Sequence, residues 1–167
     1  EAGPRDYPGD LLRVRSVKVY ADGALGSRGA ALIEDYSDAP GERGLLLQSQ
    51  RELRDTMERW AAAGFQVNVH AIGDLANRRV LAEFARLNED PASRALRHRI
   101  EHAQVIPPED IPRFAELDVI ASVQPTHATS DKNMAGDRLG EARLEGAYAW
   151  QTLIDSGAHL AGGSDFP

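Results

Sequence analysis

The order of strand-like and helix-like segments constrains this chain most. Five short runs rich in β-formers stand at 14–22 (VRSVKVYAD), 65–71 (FQVNVHA), 98–104 (HRIEHAQ), 119–125 (VIASVQP) and 159–165 (HLAGGSD). Helix signals fall between them. Residues 49–52 read SQRE, a Ser-x-x-Glu capping box. The helix after it sets Leu53, Met57, Trp60 and Ala61 on one face, with Gly64 where a C′ glycine belongs. Asp74 is placed to cap a second helix whose Ala76, Val80, Phe84 and Leu87 share a face. Residues 107–118 (PPEDIPRFAELD) give a short helix with prolines in its first turn. A long loop is expected over 126–141, then a helix near 147–157. Strand, helix, strand in alternation means βαβ units and a parallel sheet, hence an α/β fold.

With 167 residues, 42% hydrophobic and 27% charged, the chain suffices for one domain with a real core. A net charge of −7 argues against a nucleic-acid partner or an anionic membrane. No apolar run reaches bilayer-spanning length. No secretory signal is legible, and a cytoplasmic setting is the expectation. The absence of cysteine removes disulfides, thiol nucleophiles and cysteine-ligated zinc together. The abrupt start, and an end on a strand with no covering helix, read as five βα units of something larger.

In parallel α/β folds, function gathers at the carboxyl ends of the strands. The first strand carries Lys18 and Asp22 there, the second His70 and Asp74, the third Glu101 and His102. The fourth carries Gln124 and His127, and the fifth Ser164 and Asp165. Lys18 shares a face with Ser16, Tyr20 and Asp22 by strand alternation. Two readings of it stay open. Its ammonium is paired with Asp22 or Glu101, or its neutral amine has taken up CO2 as a carbamate able to bridge metals. Alone, His70 and His102 read as core histidines, and Asp165 as a helix cap. Together, a lysine, two histidines and an aspartate at four strand ends supply the imidazole and carboxylate donors that zinc accepts. His98 and His159 precede their strands, away from that rim. His127, after Gln124-Pro125-Thr126, is placed for a substrate or supporting role.

Glycines at 23, 26 and 29 follow Lys18, but their G-x-x-G-x-x-G spacing fits neither dinucleotide nor P-loop patterns. No G-x-S-x-G or H-E-x-x-H occurs.

The stretches KVYADGALGSRGA, VNVHAIGD, RIEHAQ, SVQPTH, GAYAWQTLIDSG and GGSDFP occur in this order. Together they resemble amidohydrolase family 3 of the amidohydrolase superfamily, in the branch of the N-substituted formamide deformylases. The resemblance implies a (β/α)8 TIM-type barrel, of which this chain would supply strands four to eight as one partial domain over 1–167. It implies metal ligands at Lys18 (carboxylated), His70, His102 and Asp165, with Asp165 also the general base. Asp22, Arg28 and His127 would line the substrate pocket. The implied activity is hydrolysis of a small amide-type C–N bond with one or two divalent ions, zinc foremost. The family's His-x-His of the first strand has no counterpart here, nor do the first three strands and the small β domain. Weak metal binding is expected of the isolated chain. The alternative is a non-catalytic α/β fragment or assembly module, stabilised by a homo-oligomer or by the missing barrel half.

Overall fold

The computed structural model describes residues 3–9 and 11–166. Its centre is a five-stranded parallel sheet in sequence order. The strands are β3 (Ser16–Tyr20), β4 (Gln66–Ala71), β5 (Arg99–His102), β6 (Ile120–Val123) and β7 (Leu160–Gly162). The α/β class and the parallel sheet agree with the sequence pattern. Val14 departs from it, since β1 (Arg5–Asp6) and β2 (Arg13–Val14) form a separate antiparallel pair.

Alternation gives the sheet two chemically distinct faces. Val19, Val67, Val69, Ile100 and Ala121 are buried against the helices. Those helices are α1 (Gln50–Ala62), α2 (Asp74–Leu87), α4 (Pro112–Glu116) and α7 (Trp150–Asp155), with the small α3 (Pro91–Arg94) leading into β5. They contribute Leu53, Met57, Val80, Phe84, Phe114 and Leu153. On the opposite face the register aligns Lys18 with Asn68, Tyr20 with His70, and His70 with Glu101. That face is polar, and Tyr20 is 51% exposed on it. A sheet with helices on one side and polar groups on the other has the layering of part of a barrel wall.

Local signals explain the helix boundaries. Ser49 and Glu52 form the reciprocal capping box at the start of α1. Gly64 follows the α1 C-cap at φ +83°, a conformation cheap only for glycine. The second helix differs by one residue from expectation. Gly73 is its N-cap, and Asp74 is its first helical residue, because the Asp74 carboxylate accepts from the Ile33 N–H at 2.8 Å. The expected loop over 126–141 is mostly helical, as α5 (Pro125–Asp131), α6 (Ala135–Leu139) and a 3-10 turn over Glu141–Gly146.

At the carboxyl end of the sheet a second apolar cluster forms under the loops. It joins Leu25, Leu32, Tyr36, Ile72, Val105 and Leu139. The loop after β3 is thereby fixed onto the loops after β4 and β5.

His98, which precedes β5, is buried and has a structural place. Its ring stacks on Phe84 at 5.1 Å, its Nδ1 accepts from the Val67 N–H at 3.1 Å, and Nε2 meets Ser93 Oγ at 3.1 Å.

Candidate active site

The nominated metal ligands lie on or just beyond the strands, Lys18 within β3, His70 in β4, His102 at the end of β5 and Asp165 beyond β7. His70 is the penultimate residue of β4 and lies on its polar face. By simple alternation His102 belongs with Ile100, on the helix side. It does not lie there, because the backbone turns left-handed at His102 (φ +76°) and Ala103 (φ +43°). The turn brings the two rings to 4.5 Å, edge to face. Non-glycine residues in this region carry strain and gather at functional sites.

The two imidazoles are held neutral. Burial, then the neighbouring His102, pushes His70 down to about 4. Burial also lowers His102. His102 Nδ1 lies 2.8 Å from Gln124 Oε1, so Nδ1 carries the proton and Nε2 is left with its lone pair. His70 Nε2 is buried without a hydrogen-bond partner, 3.5 Å from Asp22 Oδ1. A buried ring nitrogen without a partner beside a second neutral imidazole is the chemistry a divalent ion satisfies.

Lys18 is exposed, with its ammonium 5.1 Å from the Tyr20 ring centre. Neither expected ionic partner is open to it. Glu101 is engaged by Arg99 at 2.7 and 3.1 Å, and Asp22 by backbone amides. Asp165 is exposed beyond β7 at φ +59°. Lys18 and Asp165 both act electrostatically on His70 and His102, so the four groups share one neighbourhood. Among the described residues, no three His, Asp or Glu side chains close around one point tightly enough to enclose an ion. The two imidazoles stand together, and the set of nominated groups around them is open.

Of the residues nominated for substrate, Asp22 has a different task. It is 1% exposed, and its carboxylate accepts from the N–H groups of Ala31 (2.9 Å), Ile72 (3.0 Å) and Gly73 (2.8 Å). It pins the loops after β3 and β4 together. Burial pushes its carboxyl up to about 7, against the pull of those three donors. At Gly73 a Cβ would meet the Ala31 oxygen at 2.0 Å, so this joint requires glycine. Arg28 spends Nε and Nη2 on Asp38 (3.1 and 2.9 Å), and Arg138 meets the same carboxylate. The glycine loop is a tight turn, since Gly23, Arg28, Gly29 and Ala30 donate their N–H groups to carbonyls within it.

His127 lies on α5, its ring stacked on His102 at 5.6 Å. It borders a pocket of about 310 Å³ that also meets Leu25, Ile72, Gln104, Asp131 and Met134. Gln104, Asp131 and Tyr148 are site-adjacent residues that sequence reasoning missed. The one usable signal was the four-residue step from His127 to Asp131, which places both on one helix face.

The amidohydrolase family matches over residues 3–167, and the chain belongs to that family. YtcJ of Bacillus subtilis (strain 168) is 38% identical over 159 residues, which are 95% of this chain and 30% of that protein. Protein LONG AFTER FAR-RED 3 of Arabidopsis thaliana is also 38% identical over 159 residues, covering 95% of this chain and 27% of its own length. An uncharacterized metal-dependent hydrolase from Pyrococcus furiosus superposes with a TM-score of 0.85 at 36% identity, over 99% of this chain and 33% of that one. The chain thus spans about a third, or less, of the proteins it matches. Among the described residues, no helix is long and apolar enough to cross a membrane.

Proposed function

We propose that this chain carries part of the active centre of a metal-dependent hydrolase acting on amide-like C–N bonds of small molecules. The observation that carries the reading is the pair of buried neutral imidazoles at adjacent strand ends, one with an unpartnered Nε2. His70 and His102 would hold a divalent ion through their Nε2 atoms, with Asp165 and a carboxylated Lys18 completing the set. Zinc suits imidazole and carboxylate donors. When bound, such an ion supplies Lewis acidity, bringing the pKa of water from ~15.7 toward ~7.

The chain's own groups do the rest. Asp165 takes a proton from the attacking water and delivers it to the departing nitrogen. Gln124 fixes the His102 tautomer. Lys18, once its neutral amine adds to CO2 and loses a proton, becomes an anionic bidentate group.

N-substituted formamides are the first substrates to try, in a polypeptide that extends this chain to the length of its relatives. Zinc-dependent release of formate, lost in Asp165→Asn, is the expected result. No turnover across formamides, acylated amino acids and cyclic amides would count against the reading.

One observation favours a second reading. The open ligand set suits a non-catalytic module that assembles through the edges of β3 and β7, with a second copy or another polypeptide completing the wall.

A further inference from the structure

We infer that Asp131 determines specificity in the pocket beside His127, selecting ligands that carry a cationic nitrogen on a short apolar arm. The inference rests on the hydrolase reading for the word substrate, but its physical basis is local. The pocket holds about 310 Å³, with Leu25, Ile72 and Met134 among its apolar walls. Asp131 is the carboxylate bordering it. Among the described residues, no Lys, Arg or His lies within ion-pair distance of Asp131.

The carboxylate is nevertheless held firmly by neutral donors. The Tyr148 hydroxyl donates to Asp131 Oδ2 at 2.7 Å, and Gln104 Nε2 donates to the same oxygen at 3.1 Å. Gln104 Nε2 also reaches the Tyr148 oxygen at 2.9 Å. Burial and the Asp131 charge both raise the Tyr148 hydroxyl, which stays a donor at any working pH. Oδ1 is differently placed. Its partner is Ser130 Oγ at 3.1 Å, whose one hydrogen is shared with the His127 carbonyl at 3.1 Å. A carboxylate offers about four acceptor sites, so Oδ1 keeps capacity for an incoming donor.

Position supports this. Asp131 follows His127 by one helical turn on α5, so the two side chains project along one face about 5–6 Å apart. His127 in turn stacks on His102. A ligand whose reactive carbonyl lay near His70 and His102 would pass His127 and bring an arm to Asp131. An ammonium there gains a charge-assisted bond to an oriented carboxylate. A carboxylate on the same arm meets like charge.

The test titrates this chain with n-butylammonium and, separately, with n-butyrate, following the Met134 methyl and the Gly26 amide by NMR. Saturable shifts with butylammonium, at least tenfold weaker with butyrate, are expected. Asp131→Asn should weaken butylammonium at least tenfold, while Tyr148→Phe, which keeps the carboxylate, should retain the preference for the cation. Equal response to both probes, no saturable response to butylammonium, or an undiminished response in Asp131→Asn would overturn the inference. A zinc titration of Asp131→Asn separates the two claims. Zinc bound as in the parent, without cation selectivity in the parent, refutes the pocket and spares the hydrolase reading; cation selectivity without zinc binding does the reverse.

Discussion

His70 and His102 sit on neighbouring parallel strands with their rings 4.5 Å apart, and a left-handed backbone at His102 creates that contact. Strand alternation alone would have sent the second ring to the helix side. The strain at His102 is held by the buried Ala103 behind it and the Gln124 bond on its Nδ1.

Asp22 predicts a stability effect. Asp22→Ala strands three N–H groups in a buried joint, each costing about 1 kcal/mol or more. Urea unfolding should show a loss of at least ~3 kcal/mol, and a loss under ~1 kcal/mol would contradict the pinning role.

His98 predicts a pH effect. Burial holds it down to about 4 from the ordinary 6.5. The unfolded chain binds a proton near pH 6.5 and the folded one does not until near pH 4. Its contribution is therefore complete above pH 6.5 and is lost as pH falls toward 4, on the order of 3 kcal/mol in all. Between pH 7 and pH 5, His98→Gln should lose about 2 kcal/mol less stability than the parent, by urea midpoints. Equal losses would contradict the assignment.

Lys18 predicts a separation of stability from metal binding. It is exposed and makes no ion pair among the described residues, so Lys18→Ala should move stability by less than ~0.5 kcal/mol. It should also lower metal stoichiometry measured with bicarbonate present. Unchanged metal content would remove Lys18 from the site.

Much of this was legible in the sequence. The five strands show as short β-rich runs, and SQRE marks the start of α1 directly. The region 126–141 was not, because α5 has no buried residue and no side-chain N-cap, and so shows no apolar period. The Asp74 boundary slipped because its carboxylate serves Ile33, 41 residues away. Asp22 could be seen at a strand end, but its partners lie 9, 50 and 51 residues along the chain. No local pattern reports contacts of that range. The same holds for Asp131, whose meaning comes from Tyr148 and Gln104 closing on it across loops.

The most direct measurement is a calorimetric titration of this chain with zinc, beside a His70→Ala/His102→Ala double variant checked for retained fold by circular dichroism. One weak, saturable site in the parent and none in the variant is the predicted result. Equal binding by both, or no saturable site in the parent, would contradict the assignment of a metal to these two histidines.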